Sequence, residues 1–138
     1  MKILRPIAAV LLGLFIGSML NGSIIAISSY IIPPPPGSDL STPEGLSAAM
    51  SLMGPQHFLF PFLAHALGTL IGALITARIA NAHQMSLAML IGIAFLAGGI
   101  YMVAILPAPM WFNVTDLLLA YIPMAWLGGK LGSKKKGA

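Results

Sequence analysis

The chain has 138 residues, 58% of them apolar, with seven basic and three acidic side chains and a formal net charge of +4. So few charges cannot build the polar shell that a water-soluble domain of this length requires, whereas a hydrocarbon solvent removes the requirement. Cysteine is absent, which excludes a disulfide framework, a thiolate metal site and a cysteine nucleophile.

The bases stand beside long apolar runs: Lys2 and Arg5 at the head, Lys130, Lys134, Lys135 and Lys136 at the tail. That placement reads as a topology signal and a contact for anionic lipid, with no nucleic acid as partner. The predicted fold is therefore all-α, a single domain over residues 1–138 built as an integral membrane bundle of four transmembrane helices. A short amphipathic helix is expected in its outer loop.

Span one covers about 7–32. Lys2 and Arg5 ahead of it imitate a signal peptide, but the apolar run is too long for a signal h-region and no convincing cleavage site interrupts it. A retained first helix is expected. It is longer than the ~20 residues that cross a ~30 Å core, so tilting or unwinding near its outer end is expected too.

Pro33–Pro36 end this span and lead into extended polyproline II chain, because each proline fixes φ and lacks an N–H. In the outer loop, 33–56, Ser41 or Thr42 can cap a helix with Pro43 at its first position and Glu44 in its first turn. Leu46, Ala49, Met50 and Met53 recur at helical spacing, which predicts an amphipathic helix lying on the membrane surface or capping the bundle.

Span two covers about 57–80. Read at i, i+4 spacing, one face shows His57, Pro61, His65, Thr69, Gly72 and Thr76, and the other Phe58, Phe62, Leu63, Leu70 and Leu74. The polar stripe must face protein or water, since an unsatisfied donor in hydrocarbon costs several kcal/mol. The second face suits lipid. Span three, about 86–106, follows a short turn, and span four, about 112–129, follows another, so spans two to four pack as antiparallel neighbours. Trp111 and Trp126 suit the two aromatic belts.

All seven bases fall on one side of this four-span arrangement, which the positive-inside rule makes cytoplasmic; Asp39 and Glu44 fall on the other. The expectation is an inner (plasma) membrane protein of bacterial type with both termini in the cytoplasm.

Two small-residue ridges stand out, Gly13 with Gly17 and Gly68 with Gly72, each spaced to let a neighbouring backbone approach. Gly92, Gly98 and Gly99 are expected to serve span three likewise, and Gly128 and Gly129 to end span four. Such ridges hold helices together, or hold one copy to another, and do not name a function.

A candidate polar layer lies in the outer half of the bundle. Counted from the outer ends at ~1.5 Å per residue, Asn21 falls ~16 Å deep, Tyr121 ~13 Å, His65 ~12 Å and Tyr101 ~8 Å. Asp116 comes out shallower, at ~6 Å, nearer the level of His57. Three readings compete. In one, the layer is packing glue: His65 donates to a carbonyl or to Asn21, while Asp116, Asn113 or Thr115 caps the start of span four. In the second, a small transport or channel-type protein of unknown cargo holds an outward-facing cavity lined by His65, Asn21, Thr69, His57, Asp116, Tyr101 and Tyr121. In the third, a haem or metal serves a membrane enzyme. His57 and His65, ~12 Å apart along one helix, cannot share a metal directly.

No metal set is assigned, and the sequence leaves any cofactor unknown. Soluble-enzyme signatures such as a Walker loop, H-E-x-x-H or a nucleophile elbow are absent, and no catalytic residue is assigned. The expected partners are the lipid bilayer and a second copy of the chain or a larger membrane complex. A non-catalytic accessory or assembly subunit is the alternative to transport.

Overall fold

In the computed structural model, residues 3–134 are described; Lys2, Lys135 and Lys136, which the sidedness expectation counts, lie outside them. The described residues form helices α1 (Leu4–Ile31), α2 (Pro43–Met50), α3 (Leu59–Ile79), α4 (Gln84–Ile105), α5 (Met110–Leu119) and α6 (Ile122–Gly132). A 3₁₀ turn, Pro55–Phe58, leads into α3. Four helical stretches are long and apolar enough to cross a membrane: Leu4–Ile31, Pro55–Ile79, Gln84–Ile105 and Met110–Gly132, the last combining α5 and α6. The fold is an all-α bundle of four such helices, and the chain is an integral membrane protein.

The distribution of side-chain size says the same. Phe15 and Leu118 keep 62% and 66% of their surface exposed, whereas Ala73, Ala77, Ala88 and Ala125 are wholly buried. In water this arrangement would be inside out. In lipid it is favourable, because large apolar side chains dissolve in the tails while small ones let backbones approach.

The α1–α3 crossing shows how close the approach is. A Cβ on Gly13 would fall 2.6 Å from the Gly72 carbonyl oxygen, and one on Gly17 2.6 Å from that of Gly68. The two ridges therefore face each other in antiparallel register. One turn further along, the Thr76 hydroxyl donates to the Ala9 carbonyl at 3.1 Å. α3 also packs against α4 and α6, so it is the central element, and α1 touches little besides α3. A third ridge, unread in the sequence, closes the α3–α6 contact. Gly128 and Gly132 lie against the carbonyls of Leu70 and Leu74, because α6 runs three residues beyond the expected end of span four. Gly98, by contrast, meets nothing within 4 Å and holds no neighbour.

Both ends of the bundle are tied by polar contacts. At one end, the Arg5 side chain donates to the Ile79 carbonyl (2.7 Å), and Gln84 Nε2 donates to Ala77 and Ala80 (2.8 and 2.9 Å). These satisfy carbonyls that the C-terminus of α3 leaves open, and they start α4 two residues earlier than expected. Lys134 N–H donates to Gln84 Oε1 (3.2 Å), bringing the chain's tail to the same place. Arg5, Arg78, Lys130 and Lys134 thus share this basic end, with Lys130 Nζ 4.7 Å over the Trp126 ring.

At the other end, Thr42 caps α2 by accepting from Gly45 N–H (3.1 Å), and Glu44 sits in the first turn. Ser41 is occupied with Asp39 instead. Its N–H and hydroxyl both donate to that carboxylate and hold it below the usual carboxylate range, the hydroxyl contributing most. Ala49 is 3% exposed, so α2 turns its apolar side onto the bundle as a cap.

Three further boundaries depart from expectation. α1 remains helical to Ile31 rather than unwinding. The start of span two is a 3₁₀ turn, and Phe58, assigned to the lipid face, is 2% exposed. It sits against Phe112 (ring centroids 4.9 Å) and Trp111 (5.8 Å). Span four is not one helix. Pro123 has no N–H and its ring crowds the Leu119 carbonyl, so the helix stops at Leu119 and restarts at Ile122 with Tyr121 as the joint.

Candidate functional site

Four elements converge on His65 in the half of the bundle nearer α2. His65 Nδ1 lies 2.8 Å from Asp116 Oδ1, and the Tyr121 hydroxyl donates to Asp116 Oδ2 at 2.9 Å. The His65 and Tyr121 rings stack, with centroids 5.7 Å apart. Asp116 is 4% exposed. Each of its oxygens meets a hydrogen-bonding group, and when Asp116 is ionised both bonds run toward it. Nδ1 of His65 then carries the proton. Nε2 is left with a free lone pair and no hydrogen-bond partner among the described residues, while the side chain keeps 22% of its surface accessible.

The triad exists because span four is broken. In a straight helix, residues five apart point ~140° away from each other, so Asp116 and Tyr121 would diverge. The joint at Tyr121 swings its ring back over α5. Asp116 also lies deeper than the expected ~6 Å. His65 and Asp116 are each six residues past the first residue of their helices, ~9 Å along the axis in both. Counting span two as α-helix from His57 and span four from Phe112 created a false difference in level. Capping by Asp116 is overturned as well: Pro109 occupies the N-cap, Asn113 donates to the Ala108 carbonyl (3.3 Å) and Thr115 to that of Trp111 (2.7 Å).

Two cavities meet at His65, Gly99 and Met102. The inner one, about 250 Å³, is lined by Asn21, His65, Thr69, Tyr101 and Tyr121, with Phe95 and the exposed Gly98. The outer one, about 220 Å³, lies beneath α2 and is lined by Leu46, Met50, Met53, His57, Phe58 and Asp116 among others. The seven residues assigned to a cavity in the sequence are thus divided between two. Asn21 Oδ1 is buried and accepts no hydrogen bond. The Thr69 hydroxyl donates to the His65 carbonyl (2.7 Å), and Thr69 is wholly buried.

His57 differs from His65 in kind. Its Nε2 meets the Pro33 carbonyl at 3.0 Å, and its Nδ1 accepts from Gly54 N–H at 3.1 Å. Both nitrogens are occupied in straps that tie the end of the polyproline segment to the start of α3. His57 lines the outer cavity, yet it cannot act there as a free base or as a ligand without releasing the loop. His83, in the α3–α4 turn with φ of 52°, lies at the basic end away from both. No group of three or more His, Asp or Glu side chains among the described residues is placed to hold a metal ion.

Tyr121 as a partner of Asp116 is the feature sequence reasoning missed. The available signal was Pro123 within an otherwise continuous apolar run. No family model matches the chain, and neither a curated protein nor a solved structure is found to be similar to it.

Proposed function

We propose that the chain is a small transport-type membrane protein in which His65, held by Asp116, handles the transported species or a coupled proton. One observation carries this reading: a buried carboxylate orients an imidazole within an apparent span and leaves its second nitrogen open to a cavity. A carboxylate in the bilayer interior is costly, and such groups mark substrate and proton paths more often than ordinary packing. A purely structural histidine would have both nitrogens engaged, as His57 does.

The convergence of Arg5, Arg78, Lys130 and Lys134 on one end supports an orientation with that end and both termini in the cytoplasm of a bacterial-type inner membrane. The α2 end then faces out, and the outer cavity beneath it is the vestibule. Apart from the ridge against α3, α1 offers a broad uncovered face: 11% of its most apolar window is buried. That face suits lipid or a second copy of the chain. It would equally serve an accessory subunit of a larger complex, the alternative reading.

The test is flux in liposomes. Protein reconstituted with a pH-sensitive dye inside should carry protons or a coupled solute, and His65→Ala should abolish the flux while the protein remains folded. Flux unaltered by His65→Ala would remove His65 from the path. Absence of any flux, together with a stoichiometric partner on purification in mild detergent, would favour the accessory reading.

A further inference from the structure

α1 and α4 both pack on α3 but touch each other little. They meet at Gly17, where an added Cβ would stand 3.0 Å from the Phe95 ring. From there toward α2 the two helices bound a seam on the flank of the bundle, and both cavities lie along it. Asn21 and Tyr101 line the inner one, Ile25 and Val103 the outer. The rim of the inner cavity is open. Tyr101 keeps 65% of its surface exposed and Met102 42%, while a Cβ on Gly98 would meet nothing within 4 Å. The flank of a membrane-spanning helix is bathed by acyl chains, so this notch is entered from the lipid.

We propose that the inner cavity takes the head of an uncharged, hydroxyl-bearing amphiphile dissolved in the bilayer, a long-chain alcohol, which enters sideways between α1 and α4. No lysine or arginine lines either cavity, and Asp116 is 4% exposed with both oxygens engaged. A head of either charge would lose its hydration there without a facing counter-charge. Asn21 Oδ1 and the Thr69 hydroxyl are covered and take no part. The open polar atoms of the lining without a partner among the described residues are of both kinds. His65 Nε2 accepts, while the Asn21 amide nitrogen and the Tyr101 hydroxyl donate.

A hydroxyl matches such a lining because it donates and accepts at once. An ether only accepts and a hydrocarbon does neither, so each leaves His65 Nε2 without a donor, the costly state for a polar atom away from water. About 250 Å³ holds the head and the first part of the chain, with Phe95 and Met102 as apolar contacts; the rest of the chain stays among the lipid tails. As cargo, this amphiphile rests on the transport reading. As a ligand, it does not require it.

Photolabelling tests the site without requiring flux. The full chain in phosphatidylcholine nanodiscs is irradiated with hexadecanol carrying a diazirine on its chain, and unlabelled hexadecanol, hexadecane, hexadecyl sulfate and hexadecyltrimethylammonium compete. Labelling should saturate and map to the seam between α1 and α4. Hexadecanol should compete about tenfold better than hexadecane, the worth of one hydrogen bond, and better than either charged amphiphile. Gly98→Leu places a side chain in the mouth of the notch, where nothing stands in its way, and should abolish the saturable labelling with the fold intact. Gly22→Leu, equally free of neighbours on α1, should leave it unchanged. Labelling that does not saturate, hexadecane or a charged amphiphile competing as well as hexadecanol, or equal effects of the two glycine variants overturns the proposal. Saturable labelling without any liposome flux leaves this site standing and removes transport. Proton flux without saturable labelling does the reverse.

Discussion

The glycine crossing of α1 and α3 offers a comparison with an internal control. Gly17 and Gly22 lie on the same helix, so Gly→Ala at either position gains the same intrinsic helix preference, up to ~1 kcal/mol. Their surroundings differ. A Cβ on Gly17 would fall 2.6 Å from the Gly68 carbonyl oxygen and 3.0 Å from the Phe95 ring, whereas one on Gly22 meets nothing within 4 Å. The first distance is about 0.8 Å short of the 3.4 Å at which ordinary contact begins. The helices must separate by roughly that amount, at a cost of ~1–3 kcal/mol for an overpacked site. Gly22→Ala should be neutral or slightly stabilising.

Asn21 follows Gly17 by one turn, so separation also withdraws its side chain from the inner cavity. Reversible unfolding in mixed detergent micelles measures the difference directly. Gly17→Ala should unfold ~1–3 kcal/mol more easily than Gly22→Ala. Equal stability of the two variants would refute the close crossing.

Three further outcomes are expected. Pro123→Ala should fuse α5 and α6 and turn Tyr121 away from Asp116. Its cost, ~0.6–3 kcal/mol for one intramembrane hydrogen bond, should overlap that of Tyr121→Phe, so the double variant loses little beyond the larger single effect; full additivity would mean that the joint does not position the hydroxyl. His57→Ala should release the loop over 33–56, seen as faster nicking there by an added protease with helix content unchanged; unchanged nicking would contradict the strap to Pro33. Asp39 should titrate below its ordinary 3.8 in NMR, and Ser41→Ala should return it upward. Because the folded value is depressed, the loop contact it stabilises is present above the unfolded value and lost as pH falls through the folded one; an Asp39 that titrates at the ordinary value would rule this out.

How far the sequence could be read depended on whether a feature is periodic or positional. The spans, the two facing glycine ridges and the Thr42 cap follow from spacing within one helix, which 100° per residue makes robust. Levels and pairings between helices need true starting points. A two-residue error at His57 against Leu59, compounded by a similar one at the start of α5, moved Asp116 away from His65 by ~6 Å on paper. The broken fourth span shows the other limit. Pro123 was legible, but the consequence that Tyr121 folds back onto Asp116 depends on the angle taken at the joint, which spacing does not supply. Asn21 and Thr69 were legible as polar groups that must look inward. Which of them would find a protein partner was not, because that is decided by neighbours from other helices.

The account depends most on which nitrogen of His65 carries the proton. Solid-state NMR of protein labelled with ¹⁵N-histidine in bilayers reports this, with His65→Ala and His57→Ala assigning the signals. Under mildly alkaline conditions, where an ordinary imidazole is neutral, His65 should appear as the Nδ1–H form with an unprotonated Nε2, and His57 as the Nε2–H form. An Nε2–H form at His65 would mean that Asp116 donates instead of accepting, and the open imidazole nitrogen on which the proposed function stands would be wrong.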